Sequence, residues 1–382
     1  MTRLTISAPR IFDGTRILRD HALVLSDDRI EALLPAADAG TPDVICEGLI
    51  SPGFLDLQIN GGGGLMVGAE TDLAALTQIC EIHRDLGCAA VLPTLITDTP
   101  ETTARVIASG IEAATTRVPG FLGLHLEGPH LDPRRKGAHH PRLIRTMGED
   151  DLARLCEAAR ALPVLMVTLA PESVTPDQIS TLAKAGAVVS IGHSDCDYET
   201  ACAAYAAGAR CATHLFNAMS QLGHRAPGLA GAVLAGDAPF AGLIADGIHV
   251  HPAAMRTALG ARQDGIFLVT DCMAFAGTQA REMTLNGRVI RREAGRLTLP
   301  DGTLAGADLR MDAAISTLVT RLGVAPERAL AMATSIPARA VGVEDRLGSI
   351  APGRPVSLSL LDDDYRLSAT WRDGGWRAAN PA

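Results

Sequence analysis

The chain has 382 residues, 47% of them apolar and 20% charged, with a formal net charge of −9 at neutral pH. That composition excludes an intrinsically disordered chain and supplies a sizeable core, while the acidic balance argues against nucleic acid or an anionic membrane as partner. Aromatics at 3% make stacking a poor candidate for the main binding chemistry, and no apolar run reaches the roughly 18 residues of a membrane span.

The N-terminal MTRLTISAPR lacks the apolar stretch of a signal peptide. Eight cysteines without a CxxC pair read as reduced, mostly buried thiols, so a cytoplasmic protein is expected. Residues 1–50 read as short strands and turns: LTISAPRIF, a turn at Asp13-Gly14, HALVLSDDRIEALLP with a hairpin turn at Asp27-Asp28, and DVICEGLI. This unit is too short to bury its own core.

From Leu49 the pattern changes to eight strand-length apolar runs: LISPGFLDLQI, AAVLPTLIT, GFLGLHLEGP, VLMVTLAPE, AVVSIGHS, CATHLFN, FAGLIADGIHV and GIFLVTDCM. Helical patterns lie between them at 72–86, 100–114, 150–161, 176–185, 198–207 and 252–262. Thr99-Pro100 and Thr175-Pro176 pair a capping side chain with proline at the first helical position. The weakest link is between strands six and seven, where only GLAGAVLAG can serve as the helix. Apolar strands alternating with helices imply a parallel sheet covered on its outer face, and eight units match a (β/α)8 barrel. Helices at 309–322 and 326–341 follow, and the tail returns to β character in GSIAPGRPVSLSLLD and YRLSATWRDGGWR. Two units are therefore expected: 51–342 as the barrel, and 1–50 with 343–382 as one small β domain built from both chain ends.

Barrel chemistry sits at the C-terminal ends of the strands. Strand one ends in Gln58-Ile59-Asn60, strand three in His125-Leu126-Glu127, strand five in Gly192-His193 and strand six in Thr213-His214. Strand seven ends in Asp246-Gly247-Ile248-His249 and strand eight in Thr270-Asp271. Six of the eleven histidines lie at or just after such ends. Any one of them alone reads equally well as a satisfied polar group. Together, Glu127, His193 and His214 can converge as a carboxylate and two imidazoles, a good catalytic zinc triad with a fourth position left for water. Asp271 would then stand beside that water as general base.

These residues, with PGFLDLQINGGGG, HLEGPHLDPRRKGAH, GHSDC, THLFNAMSQLGHRAPGLAGAVL, IADGIHV, VTDCMAFAG and LAGADLRM, resemble the amidohydrolase superfamily, specifically its N-acetylglucosamine-6-phosphate deacetylase family. The matching segments run in family order over about residues 50 to 353. The resemblance implies a (β/α)8 barrel with a small β-sandwich, and one divalent metal, Zn2+ or Fe2+, on Glu127, His193 and His214. It makes Asp271 the acid/base and His139, with His140 as its neighbour and competitor, the group that contacts the substrate near the acetyl carbonyl. It assigns substrate contacts to Gln58, Asn60, Leu309 and Met311, and phosphate contacts to Asn217, Ala218, Arg225 and His249. It implies a homodimer in which Arg225 reaches the neighbouring site.

The reaction expected is removal of acetate from N-acetyl-D-glucosamine 6-phosphate. The alternatives are the galactosamine epimer as substrate, or a sugar-phosphate sensor without catalysis. Many amidohydrolases carry His-x-His on strand one and a lysine on strand four. Gln58-x-Asn60 and the lysine-free VLMVTLAPE replace them here, so a single metal is expected. Arg134, Arg135 and Lys136 read as a solvated basic run, and Cys272 as a buried spectator.

Overall fold

The computed structural model describes residues 3–285, 288–300, 302 and 304–379. Its centre is a ring of eight parallel strands, each paired with the next in chain order. They are Phe54–Ile59, Cys88–Ile96, Leu124–Glu127, Leu165–Leu169, Val188–Ile191, Cys211–Ala212, Phe240–Leu243 and Ile266–Leu268. The segment after the eighth strand closes the ring: the Asp271 N–H donates to Gln58 O at 3.0 Å and the Asn60 N–H to Cys272 O at 2.8 Å. Residues on both faces of most strands are buried, as their unbroken apolar sequences require.

Helices cover the ring and start where their caps dictate. The Thr99 side chain accepts from Thr102 N ahead of Pro100–Thr115, and Thr175 and Gln178 form a reciprocal capping box ahead of Pro176–Lys184. The helix between strands six and seven, Gly228–Ala235, is almost wholly buried and ends on the left-handed Gly236 at φ 99°. A helix apolar on every side has little amphipathic pattern to announce it.

Three expectations need correction. Between the eighth strand and the next helix lies an antiparallel sheet of Glu282–Leu285, Arg288–Glu293, Arg296–Thr298 and Leu304–Ala307, which the sequence reading passed over. It has its own small core of Phe275, Ile290, Leu297 and Ala305. The helix expected over 309–322 begins at Met311, runs to Ser316 and continues as a π-helical turn over Thr317–Arg321. The one expected over 326–341 is two helices, Pro326–Ala333 and Ser335–Ala340, broken at Thr334.

Outside the barrel, one four-stranded sheet is built from N-terminal segments, and a six-stranded sheet interleaves Leu358–Leu361, Leu367–Arg372 and Gly375–Ala378 with Leu49–Pro52, Arg10–Phe12 and Ile17–Leu18. Ile6, Leu23, Ile50, Leu358 and Trp371 share one core between them. Asp312, in the barrel's Met311–Ser316 helix, ties this sheet down. Its carboxylate meets Arg310 at 3.1 Å and Arg366 at 3.3 Å and accepts the Leu367 N–H at 3.0 Å, with its side chain 1% exposed. Removing one partner of a buried ionic cluster leaves the rest uncompensated. Asp312→Ala should therefore cost about 3 kcal/mol of stability, read as a lower denaturant midpoint; a change within about 0.5 kcal/mol would show the cluster to be dispensable.

Candidate active site

Strand ends deliver the polar groups to one mouth of the ring. Glu127 is the last residue of the third strand, and His193, His214 and Asp271 lie two or three residues beyond the fifth, sixth and eighth. His193, His214 and Asp271 take φ of 48°, 27° and 50°, and Phe216 and Ala218 of 76° and 47°. This region of backbone space costs a non-glycine residue of order 1 kcal/mol or more, and such strain concentrates at functional sites.

The three side chains proposed from sequence to hold a metal meet. Glu127 Oε1 lies 3.2 Å from His193 Nε2 and 3.0 Å from His214 Nε2, and the two nitrogens are 3.1 Å apart. His193 Nδ1 is 2.8 Å from the Arg135 carbonyl. A carbonyl can only accept, so Nδ1 carries the ring proton and Nε2 of the neutral ring presents a bare lone pair. A lone pair facing a carboxylate oxygen at that separation is repulsive, and a shared cation reverses the sign. The donor set therefore fits a divalent transition metal.

Glu127, His139 and His193 also place ligand atoms within 4.8 Å of one another. His139, however, receives the Thr97 N–H at Nδ1 (3.2 Å), with Thr97 Oγ1 at 2.7 Å from the same atom. Its proton therefore sits on Nε2, 3.7 Å from Glu127 Oε2. That atom is a hydrogen-bond donor at the cavity, which leaves His214 as the better third ligand. Burial, and then the neighbouring His193, push His139 down to about 3, so it stays a neutral donor.

Burial alone would raise Glu127, but the facing His193 and His214 rings outweigh this and hold the carboxyl well below its ordinary range, the direction in which a shared cation also acts. Burial likewise opposes charge on His214, and the Glu127 hydrogen bond overrides it, so the net direction is upward. Asp271 is pushed up to about 6 by burial and then by the Glu127 charge; a cation at the centre acts in the opposite direction. Asn60 Nδ2 donates to Asp271 Oδ1 at 2.7 Å, and Gln58 Nε2 donates to Glu127 Oε1 at 2.9 Å and to Asp271 Oδ1 at 3.3 Å.

Asn60, Glu127, His139, His193, His214 and Asp271 line a cavity of about 280 Å3, whose wall also includes Asn217, Ala218 and His249. His249 Nδ1 donates to Asp246 Oδ2 at 2.6 Å, an orienting carboxylate given no role in the sequence reading. The Asn217 amide is turned onto the carbonyls of His214 and Leu215, at 3.3 and 3.4 Å. Among the described residues the cavity wall does not include Gln58, Arg225, Leu309 or Met311. Gln58 bridges two carboxylates instead, Leu309 and Met311 are buried in the main core, and Arg225 is exposed on its loop.

The basic run expected to be solvated is ion-paired. Arg134 meets Asp132 at 2.6 Å and Asp195 at 3.2 Å, and Arg135 meets Asp195 at 2.6 Å. This clasp fixes the segment whose Arg135 carbonyl sets the His193 tautomer. Cys272 is buried with Sγ 3.9 Å from both Gly61 O and His83 Nε2, and burial raises its thiol well above the ordinary range, which suits an inert thiol. Two groups were invisible to the sequence reading, Thr97 and the Arg135 carbonyl. Each acts through geometry alone.

A barrel whose strand ends bring a carboxylate and two imidazoles together beside a half-buried aspartate defines a metal-dependent hydrolase class. The amidohydrolase family model matches residues 49–377, and the chain belongs to that family. It is 40% identical over 334 residues to an N-acetylgalactosamine-6-phosphate deacetylase of Shewanella sp. (strain ANA-3), covering 86% of this chain and 83% of the relative. It is 35% identical to the N-acetylglucosamine-6-phosphate deacetylase of Haemophilus influenzae, covering 96% and 97%. The crystal structure of N-acetylglucosamine-6-phosphate deacetylase from Pasteurella multocida superimposes with a TM-score of 0.92 at 32% identity, covering 99% and 100%.

Glu127→Gln and His214→Ala should each weaken metal binding by at least about 100-fold. Zinc added to the stripped wild-type chain should raise its melting temperature, as any ligand of the folded state alone must. An equal rise in the two variants would place the metal elsewhere.

Proposed function

We propose that the chain hydrolyses the acetamide of N-acetyl-D-glucosamine 6-phosphate, releasing acetate and D-glucosamine 6-phosphate. The observation that carries this is the convergence of Glu127 with the facing Nε2 atoms of His193 and His214, with Asp271 one bridging amide away. One divalent ion, zinc or ferrous iron, held by these three would polarise the amide carbonyl and acidify a water.

An amide is a poor electrophile and an amine a poor leaving group, so the protein's own residues act twice. Asp271, held by Asn60 and Gln58, accepts a proton from the attacking water and returns it to the departing nitrogen. His139 donates from Nε2 to the carbonyl oxygen as negative charge gathers there. The proton taken in the first step is the one needed in the second, which is why one carboxylate suffices.

A phosphate dianion needs local donors on a chain of net charge −9. We assign it to His249, oriented by Asp246, and to Asn217 and Ala218 on the same wall. Arg225 would reach a phosphate across a homodimer, from the exposed loop of one protomer into the site of its partner. Amino-sugar breakdown in the cytoplasm is the setting we propose; among the described residues no helix is long and apolar enough to cross a membrane.

Acetate release should be fastest from the glucosamine 6-phosphate derivative. It should fall with the galactosamine epimer and fall by about 100-fold or more without the phosphate. Faster turnover of the galactosamine compound would assign the epimer the other way, and equal turnover of the unphosphorylated sugar would remove His249, Asn217 and Ala218 from the phosphate role. Asp271→Asn keeps the shape and the Gln58 and Asn60 neighbours but should lower kcat by about 10³-fold. Binding of the substrate, read by calorimetry, should stay within about threefold, as expected for a group acting only in the transition state.

A further inference from the structure

The catalytic cavity continues past the metal-binding side chains. Met66, Ile96, Ala138, Met273 and Ala305 line it and also line a second hollow of about 250 Å3. Beyond the shared residues its walls are Val67, Leu143, Ile290 and Leu299, with Thr97, Asp98 and His140 as the polar part. Ile290 and Leu299 come from the antiparallel insert after the eighth strand, so that insert builds one side of the annex.

The annex lies on a definite side of the ring. Met66 and Val67 follow the first strand and Ile96 ends the second, whereas Asn217, Ala218 and His249 follow the sixth and seventh. In a ring of eight strands taken in chain order, the second and sixth face each other across the mouth. An amide places its nitrogen and its acyl chain on opposite sides of the carbonyl carbon. With the phosphate at the sixth and seventh strands and the carbonyl at Glu127, His193 and His214, the sugar fills the near side. The acyl chain leaves towards the first and second.

We propose that this annex is an acyl pocket, and that the enzyme deacylates hexosamine 6-phosphates carrying N-acyl chains longer than acetyl. The inference rests on the deacetylase reading above and extends its substrate class. An acetyl methyl alone would leave most of a largely apolar hollow of about 250 Å3 unfilled. Met66 and Met273, half-buried where the two spaces join, are unbranched and re-pack readily around chains of different length. The reaction balances as for acetyl: the C–N bond breaks, water supplies oxygen to the acyl carbon and its protons go to the carboxylic acid and the amine, giving a longer carboxylate and the same amino sugar phosphate.

The test compares kcat/KM of the metal-loaded enzyme on N-acetyl- and N-butanoyl-glucosamine 6-phosphate. A pocket closed around acetyl rejects each added methylene by about tenfold or more, hence two by about 100-fold. An open annex keeps the butanoyl compound within about tenfold of acetyl. Leu143→Trp and Leu299→Trp, each filling the annex from a different wall, should lower the butanoyl-to-acetyl ratio by about tenfold while leaving acetyl turnover within about twofold. A wild-type ratio below one-tenth, or a ratio unmoved in plugged variants that still turn over acetyl, overturns the acyl pocket and leaves the deacetylase standing. If a plug fails to fold, the wild-type comparison decides alone. Failure on both substrates sinks the deacetylase reading and the pocket with it.

Discussion

A carboxylate taken out of water costs several kcal/mol unless other charges or donors compensate it. Glu127 is 3% exposed, and it faces one imidazole whose proton is pinned to the far side of the ring and a second whose Nδ1 has no hydrogen-bond partner among the described residues. Gln58 supplies one donor at 2.9 Å, and one amide does not neutralise a charge. The centre of the mouth is therefore arranged around a positive ion, and the neighbouring groups take their roles from that. Asp271 stands close enough to feel the Glu127 charge, and His139 presents a proton where a lone pair would add to the repulsion.

The ring makes such an arrangement tolerable because it fixes the backbone on either side of each strained residue. The Asp132 N–H is held by His193 O at 2.9 Å, the Leu215 N–H by Gly242 O at 2.7 Å and the Ala307 N–H by Asp271 O at 3.1 Å. Left-handed turns at three site residues thus cost their strain once, at folding, and need no adjustment when substrate arrives. Beneath the site the barrel interior is polar but satisfied. His125, Thr168, Thr213 and Ser190 form a chain of hydrogen bonds of 2.7, 2.7 and 2.6 Å. Asp56, pushed up to about 7 by burial, accepts the Thr270 hydroxyl at 2.5 Å directly before the strand end that carries Asp271. A connected network of this kind rigidifies the floor on which the reacting groups stand.

The eight strands were legible because strands buried on both faces read as continuous apolar runs, and the helices because their caps and periods agree. Four things were faint or absent. The Gly228–Ala235 helix lacks a polar face, so its period is faint. The insert over 282–307 is a local antiparallel meander that meets the barrel through the Ala307–Cys272 bridge, and strand-helix alternation gives no sign of it. The choice between His139 and His140 depends on Thr97, forty-odd positions away, whose N–H and hydroxyl both reach His139 Nδ1. The pairing of Arg134 and Arg135 with Asp132 and Asp195 is likewise a matter of loops meeting in space. Sequence spacing identifies which strand ends carry polar groups. It does not say which ring nitrogen holds a proton.

The end of the first strand decides how many ions the mouth can take. Imidazoles there would turn lone pairs towards Glu127 and Asp271 and invite a second cation between the carboxylates. Gln58 and Asn60 turn N–H groups towards those same oxygens, and the short 2.7 Å contact from Asn60 to a carboxylate fixes which end of that amide faces Asp271. The amides thus partly neutralise Asp271 without a metal, and they leave its proton exchangeable, whereas a second ion bound there would hold it permanently deprotonated. A carboxylate that must accept a proton in one step and surrender it in the next is served by hydrogen-bond donors of this strength. The replacement of imidazole by amide on one strand therefore bears on catalysis as much as on metal count.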